Sequence, residues 1–153
     1  GVIDNPVLDT RWIGATGQPT LLNGRAVHCR PCAGIETALM TNSNQDYMSV
    51  DQLPALNALR RRTANRVYGG ACLNYGRLAE GRTDLAVDAG QQIYDFAPYR
   101  PIIEGAGGKI TDWHGQPLTL SSNGTILAAG DERCHKQALE VVVSSLEETN
   151  SAA

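Results

Sequence analysis

No apolar run in the chain approaches the roughly 20 residues that a membrane-spanning helix needs, and no signal-peptide pattern precedes Val2-Ile3. The expectation is a soluble, cytoplasmic protein with no membrane partner. A basic surplus is also lacking. With 13 Lys and Arg against 16 Asp and Glu, the formal net charge is −3, which argues against a nucleic-acid-binding surface. The one basic run, Arg60-Arg61-Arg62, falls near the end of an expected helix, where cations complement the helix dipole and face solvent. Cysteine is too sparse for a zinc knuckle. Cys29-Arg30-Pro31-Cys32 has the spacing, but only the isolated Cys72 and Cys134 remain as further thiols, so partly buried free cysteines are expected. Internal repeats, low-complexity tracts and a second domain boundary are missing as well.

What remains is ordinary globular usage, 42% hydrophobic and 19% charged over 153 residues, enough for one domain with a sizeable core. Strands are expected at 2–8 and 11–15, then at 20–22 and 25–29 around the hairpin signal Asn23-Gly24. Further strands fall at 36–41, 66–69, 84–88, 109–113 and 125–129. Leu53, Leu56, Leu59 and Thr63 give helical spacing over 51–64. Helices also follow at 71–80, 96–105 and 131–147, the last with an apolar stripe of Ala138, Leu139, Val142, Val143 and Leu146. Alternation of strands and helices indicates an α/β layered arrangement, with domain limits at 1–148 and a frayed tail at 149–153.

The richest stretch is Tyr94 to Trp113. Asp95 is expected to be a helix N-cap, its carboxylate accepting from free N–H groups of the first turn. Pro98 then falls in that turn, Pro101 lies deeper and is expected to kink or split the helix, and Gly105, Gly107 and Gly108 end it. A carboxylate on so rigid a start is a place for a metal ion and a phosphate to meet. Upstream, Gly69-Gly70-Ala71 join a strand to a helix, where backbone N–H groups can face an anion or a hydroxyl. Asp84 and Glu104 read as structural, and His114 and His135 carry no catalytic role.

Tyr94-Asp95 with Glu104, Ala106, Gly107 and Gly108 resembles the C-terminal signature of the inositol monophosphatase family, in its histidinol-phosphate phosphatase branch above all through Tyr-Asp-Phe and Pro101 to Gly108. Tyr68 to Cys72, Tyr75-Gly76 and Asp84 to Gly90 are similar to the family's substrate-side strand, helix and strand, and the opening residues with Leu22-Asn23-Gly24 to its middle segment. The resemblance implies the family's layered sheet-and-helix sandwich, present here as its C-terminal half. It also implies hydrolysis of a small phosphate monoester with Mg²⁺, with Asp95 as a metal ligand and Asp88, Gly70 and Ala71 on the substrate side. Asp88 would pair with the ammonium of histidinol phosphate. Inositol phosphate is the alternative substrate, and a non-catalytic module of the same fold the alternative role. Two departures stand out: Ala71 replaces an Asp usual in the branch, and the family's upstream Glu and Asp-Pro-Ile-Asp-Gly-Thr type motif are missing. The remaining metal ligands are therefore expected on an absent N-terminal half that precedes Gly1, and a homodimer is an expected assembly.

Overall fold

The computed structural model describes residues 1–152. Four antiparallel strands come first: β1 (Val2–Asn5), β2 (Thr10–Ile13), β3 (Leu21–Leu22) and β4 (Arg25–Ala26), in spatial order 1-2-3-4. Each is shorter than its hydrophobic pattern suggested. Asn23 and Gly24 close the β3–β4 hairpin with φ of 48° and 80°, the pair of positive values that a two-residue turn requires.

A second sheet follows. It contains β5 (Leu39–Asn42), β6 (Asn65–Tyr68), β7 (Leu85–Asp88), β8 (Lys109–Thr111) and β9 (Ile126–Ala129), in the order β6-β5-β7-β9-β8. β5 runs parallel to β6 and to β7, whereas β9 is antiparallel to β7 and to β8. Glu36 and Thr37, expected to open this strand, lie instead in a short 3-10 turn (Ile35–Thr37), and β5 begins only at Leu39.

Two helices cover one face of this sheet. In α1 (Leu53–Arg62), Ala55, Leu56 and Leu59 are buried at helical spacing, with Pro54 in the first turn, where a missing N–H is tolerated. They pack with Ala138 and Val142 of α5 (Glu132–Ala152) in one core, joined by Leu85 and Val87 of β7 and Leu127 and Ala129 of β9. The alternate residues of the same strands, Ala86, Ile126 and Ala128, point to the opposite face. There they meet α2 (Leu73–Ala79) and α4 (Tyr99–Gly105) through Tyr75, Leu78, Ile102 and Ile103. Each such aliphatic side chain removed from water contributes about 1.5–3 kcal/mol.

The other side of the α2–α4 layer is closed by the first sheet. Ile3 and Trp12 belong to the same core, and the Trp12 ring lies on Gly76 of α2 so closely that a Cβ there would stand 2.7 Å from it. The four layers are therefore sheet, helices, sheet, helices, an α/β sandwich. Residues 149–152, expected as a frayed tail, continue α5, with Thr149 and Ser151 hydroxyls donating to Ser145 O and Glu147 O; Ala153 lies outside the described residues. No helix among the described residues is long and apolar enough to cross a membrane.

Candidate functional site

The central strand β5 is followed in sequence by β6 on one side of it and then by β7 on the other, with α1 and α2 on opposite faces. The strand order thus reverses at β5. At such a point the two connections leave in opposite directions from the carboxyl ends of the parallel strands and open a crevice there. Asn42-Ser43, Tyr68-Gly69 and Asp88 occupy these ends.

Asp88 is 1% exposed. Its Oδ1 accepts from Asn42 Nδ2 at 3.0 Å and Ser43 N at 2.7 Å, and its Oδ2 from Ser43 Oγ and the Tyr75 hydroxyl, both at 2.9 Å. Asp88, expected on the substrate side, is thus met by four donors of the chain itself. A carboxylate offers about four lone-pair sites, and the chain's own donors take them all. Burial raises the Asp88 pKa to about 6, while the Ser43 and Tyr75 donors oppose the shift. Asn42 Oδ1 is a buried acceptor of this network with no partner among the described residues.

Gly69, Gly70 and Ala71 make an exposed turn with φ of 83°, 92° and 44° in succession. Gly69 N–H donates to Asn42 O and Ser43 O, both at 3.0 Å, while Gly70 and Ala71 N–H make no hydrogen bond among the described residues. A side chain at Gly70 would meet Asn74 Oδ1 at 2.6 Å and displace that amide, and the φ of 92° favours glycine there on conformation. Ala71 adopts a left-handed conformation that costs a non-glycine residue about 1–2 kcal/mol. Strain of this kind marks a turn held by its surroundings.

Asp95 is half-buried but is not the N-cap. Gln92 is, and Asp95 is the N3 residue of the short α3 (Ile93–Phe96), its Oδ2 accepting from Gln92 N at 2.9 Å in a capping box. The single helix expected from 96 to 105 is two. The break lies at Ala97-Pro98, and Pro101 falls in the first turn of α4, where it disrupts nothing. A split near the prolines was legible, but its position was not.

These elements converge. The Cys72 thiol, at the start of α2, has its pKa raised by burial and further by the negative charge of Asp95. The Tyr99 hydroxyl is driven far above its usual range by burial first, then by Cys72, Asp88 and Asp95. Tyr99 stacks on Tyr75 with ring centroids 3.7 Å apart and an interplanar angle of 12°. Tyr75 of this pair donates to Asp88, and the charges of Asp88 and Asp95 both act on the Tyr99 hydroxyl. Ser43 and Asn74, which sequence reasoning passed over, and Tyr75, noted there only within a family motif, complete the network. The only signal for them was a buried Asp in need of donors.

Asp95 fits one arm of a cation site, since it presents a hard carboxylate oxygen outside the capping bond. It fits no more than that: no group of three or more His, Cys, Asp or Glu side chains that could hold a metal occurs among the described residues. Asp84 and Glu104 are structural, paired with Arg30 and Arg100. His135 is buried against Thr111 Oγ1 at 3.0 Å, its pKa lowered to about 4 chiefly by burial. Cys32 and Cys134 are core residues, and all four cysteines are free thiols. Arg62 pairs with Glu36 on the surface, and Arg60 lies over the Tyr68 ring at 5.5 Å.

A profile of the inositol monophosphatase family matches residues 1–151. The chain is 37% identical over 147 residues to the bifunctional phosphatase IMPL2, chloroplastic, of Arabidopsis thaliana, covering 92% of this chain and 42% of that protein. It is 29% identical over 136 residues to a histidinol-phosphatase of Chlorobaculum parvum, covering 84% and 50%. Among solved structures, an inositol monophosphatase of Zymomonas mobilis superposes with a TM-score of 0.91 at 36% identity, over 94% of this chain and 56% of the other. The chain spans about half the length of the curated relatives it matches.

Proposed function

The chain belongs to the inositol monophosphatase family, and from that premise we propose that it is the C-terminal part of a Mg²⁺-dependent phosphomonoesterase acting on a small phosphate ester. The half-buried Asp95, fixed in its capping box with one oxygen outside it, and the exposed Gly70–Ala71 turn with its unbonded N–H groups carry this reading. They bring a hard anionic ligand and free backbone donors to the carboxyl end of parallel strands, where phosphate esters can be held.

When bound, Mg²⁺ screens the phosphate charge, acidifies a water and stabilises the leaving oxygen. Asp95 would hold it with one oxygen, the other ligands coming from residues outside these 153. That requirement follows from chemistry, because Mg²⁺ is rarely held by a lone carboxylate without further anionic ligands. The chain's own contribution is placement. The capping box fixes Asp95, and the Gly70 and Ala71 N–H groups, beside the Gly69 bonds to Asn42 O and Ser43 O and themselves unbonded, would be the donors to the ester.

Histidinol phosphate is the substrate that the Tyr-Asp-Phe and Pro101 to Gly108 motifs favour, and likeness to a histidinol-phosphatase supports it. An inositol phosphate fits the same site equally. The four internal donors on Asp88 weigh against its expected pairing with the ammonium of histidinol phosphate. A non-catalytic module is the second reading, favoured by the lack of a three-ligand cluster among the described residues. The test is phosphate release by the polypeptide extended to the length of its relatives, with histidinol phosphate and inositol monophosphate, with and without Mg²⁺. Metal-dependent release supports the enzyme; no release from either ester, with folding intact, leaves the module.

A further inference from the structure

We propose that Tyr75 is a positioning residue whose hydroxyl, through Asp88 and Ser43, holds the Gly69–Ala71 turn in its ligand-binding shape. The inference rests on the phosphatase reading for the identity of the ligand, but the constraint on the turn is a property of the chain itself.

The hydrogen bonds form a closed circuit. Tyr75 on α2 donates to Asp88 Oδ2 at 2.9 Å, and the same oxygen accepts from Ser43 Oγ at 2.9 Å. Ser43 N–H is held on Asp88 Oδ1 at 2.7 Å, which orients the end of β5. Its carbonyl, with that of Asn42, accepts from Gly69 N–H. Asn74, one residue before Tyr75, donates to Ser43 Oγ at 3.5 Å and lies against Gly70. The segment from Gly69 to Tyr75 is thus fastened to β5 at its start and to β7 at its end, with a strained left-handed residue, Ala71, between the fastenings.

Packing alone does not require a hydroxyl at residue 75. The ring is fully buried and stacked on Tyr99, contacts that a Phe would make equally. Burying a phenol O–H is costly unless it is bonded, and its partner here is the carboxylate at the end of β7. The stack removes the ring's freedom, so the hydroxyl reaches Asp88 in one geometry. Loss of that donor leaves Asp88 with three donors, loosens Ser43, and releases the β5 carbonyls that hold Gly69.

Two readouts test this. In the 153-residue chain, Tyr75→Phe is expected to speed amide hydrogen exchange at Gly69 by about tenfold, with exchange in α1 and α5 unchanged. In the longer polypeptide, the same substitution is expected to raise KM for histidinol phosphate or inositol monophosphate about 5–10-fold, while kcat and the Mg²⁺ half-saturation stay within about twofold. Ser43→Ala, which removes the neighbouring donor to the same oxygen, should act in the same direction. Thr111→Val, which removes a buried hydroxyl from His135 remote from the turn, should leave both Gly69 exchange and KM unchanged. Unaltered Gly69 exchange in both Tyr75→Phe and Ser43→Ala would overturn the proposal, as would an equal rise in KM with Thr111→Val. A wild-type polypeptide with no metal-dependent phosphate release overturns the phosphatase reading instead, and the exchange measurement still decides the role of Tyr75.

Discussion

Arg30 and Asp84 meet through two parallel hydrogen bonds, Nε to Oδ1 and Nη2 to Oδ2, each 2.6 Å. The second oxygen of Asp84 also accepts from Leu39 N at 2.8 Å, so this one buried carboxylate joins the loop before the second sheet to the first residue of β5 and to β7. Truncation to Ala leaves the Leu39 donor unsatisfied and the guanidinium unpaired. Because Arg30 is partly exposed, water recovers some of the loss. We expect Asp84→Ala to cost about 2–3 kcal/mol, measured by urea denaturation. A loss below about 0.5 kcal/mol would show that the fork is dispensable.

Asp95→Asn separates capping from metal binding. The amide oxygen still accepts from Gln92 N–H, so stability should change by less than about 0.5 kcal/mol, whereas Asp95→Ala should lose about 1 kcal/mol with the cap. In the longer polypeptide Asp95→Asn should abolish Mg²⁺-dependent phosphate release. Near-normal turnover by that variant would refute the metal role.

Two buried groups titrate in one pH window with opposite consequences. The Asp88 pKa is raised to about 6 from 3.8, so the folded state takes up a proton first, and the associated stability is lost as pH rises from about 4 to about 6. The His135 pKa is lowered from 6.5 to about 4, so its contribution is present above about 6.5 and lost as pH falls toward 4. Each shift corresponds to about 3 kcal/mol at 1.36 kcal/mol per unit. The two slopes oppose each other. Relative to wild type, His135→Gln should therefore make stability fall more steeply with pH between 4 and 6, and Asp88→Asn should make it rise more steeply. Chemical denaturation across that range checks both signs.

The turn before α2 offers a paired backbone test. Ala71→Gly relieves a left-handed residue and should raise stability by up to about 1 kcal/mol. Gly70→Ala puts a Cβ 2.6 Å from Asn74 Oδ1 at a φ of 92° and should lower stability by about 1–3 kcal/mol. Thermal unfolding of both variants gives the comparison. Equal and small changes would mean that the turn relaxes freely.

Local signals located most of the elements. Leu53, Leu56 and Leu59 announced α1 because helical period is written into consecutive residues, and Asn23-Gly24 announced its hairpin because few residues accept two positive φ angles. The capping box was missed for a corresponding reason. By residue type Asp95 is the favoured cap and Gln92 is not, but the helix starts three residues earlier, and Asp95 serves from N3 by closing a capping box on Gln92. The fate of Asp88 was further out of reach. A strand-end aspartate looks the same whether water, substrate or the chain itself supplies its donors.

Residue identity by itself determined the α/β class, the family to which the chain belongs, the glycine requirement at the turns, and the presence of a lone carboxylate suited to one arm of a cation site. Tertiary structure decided which acidic group stays available. The reversal of strand order at β5 brings Asn42, Ser43 and Tyr75 onto Asp88 from positions 46, 45 and 13 residues away, whereas Asp95 bonds only within its own turn. Long-range hydrogen bonding consumed one carboxylate and left the other a free oxygen, a distinction that depends on donors no local sequence window contains.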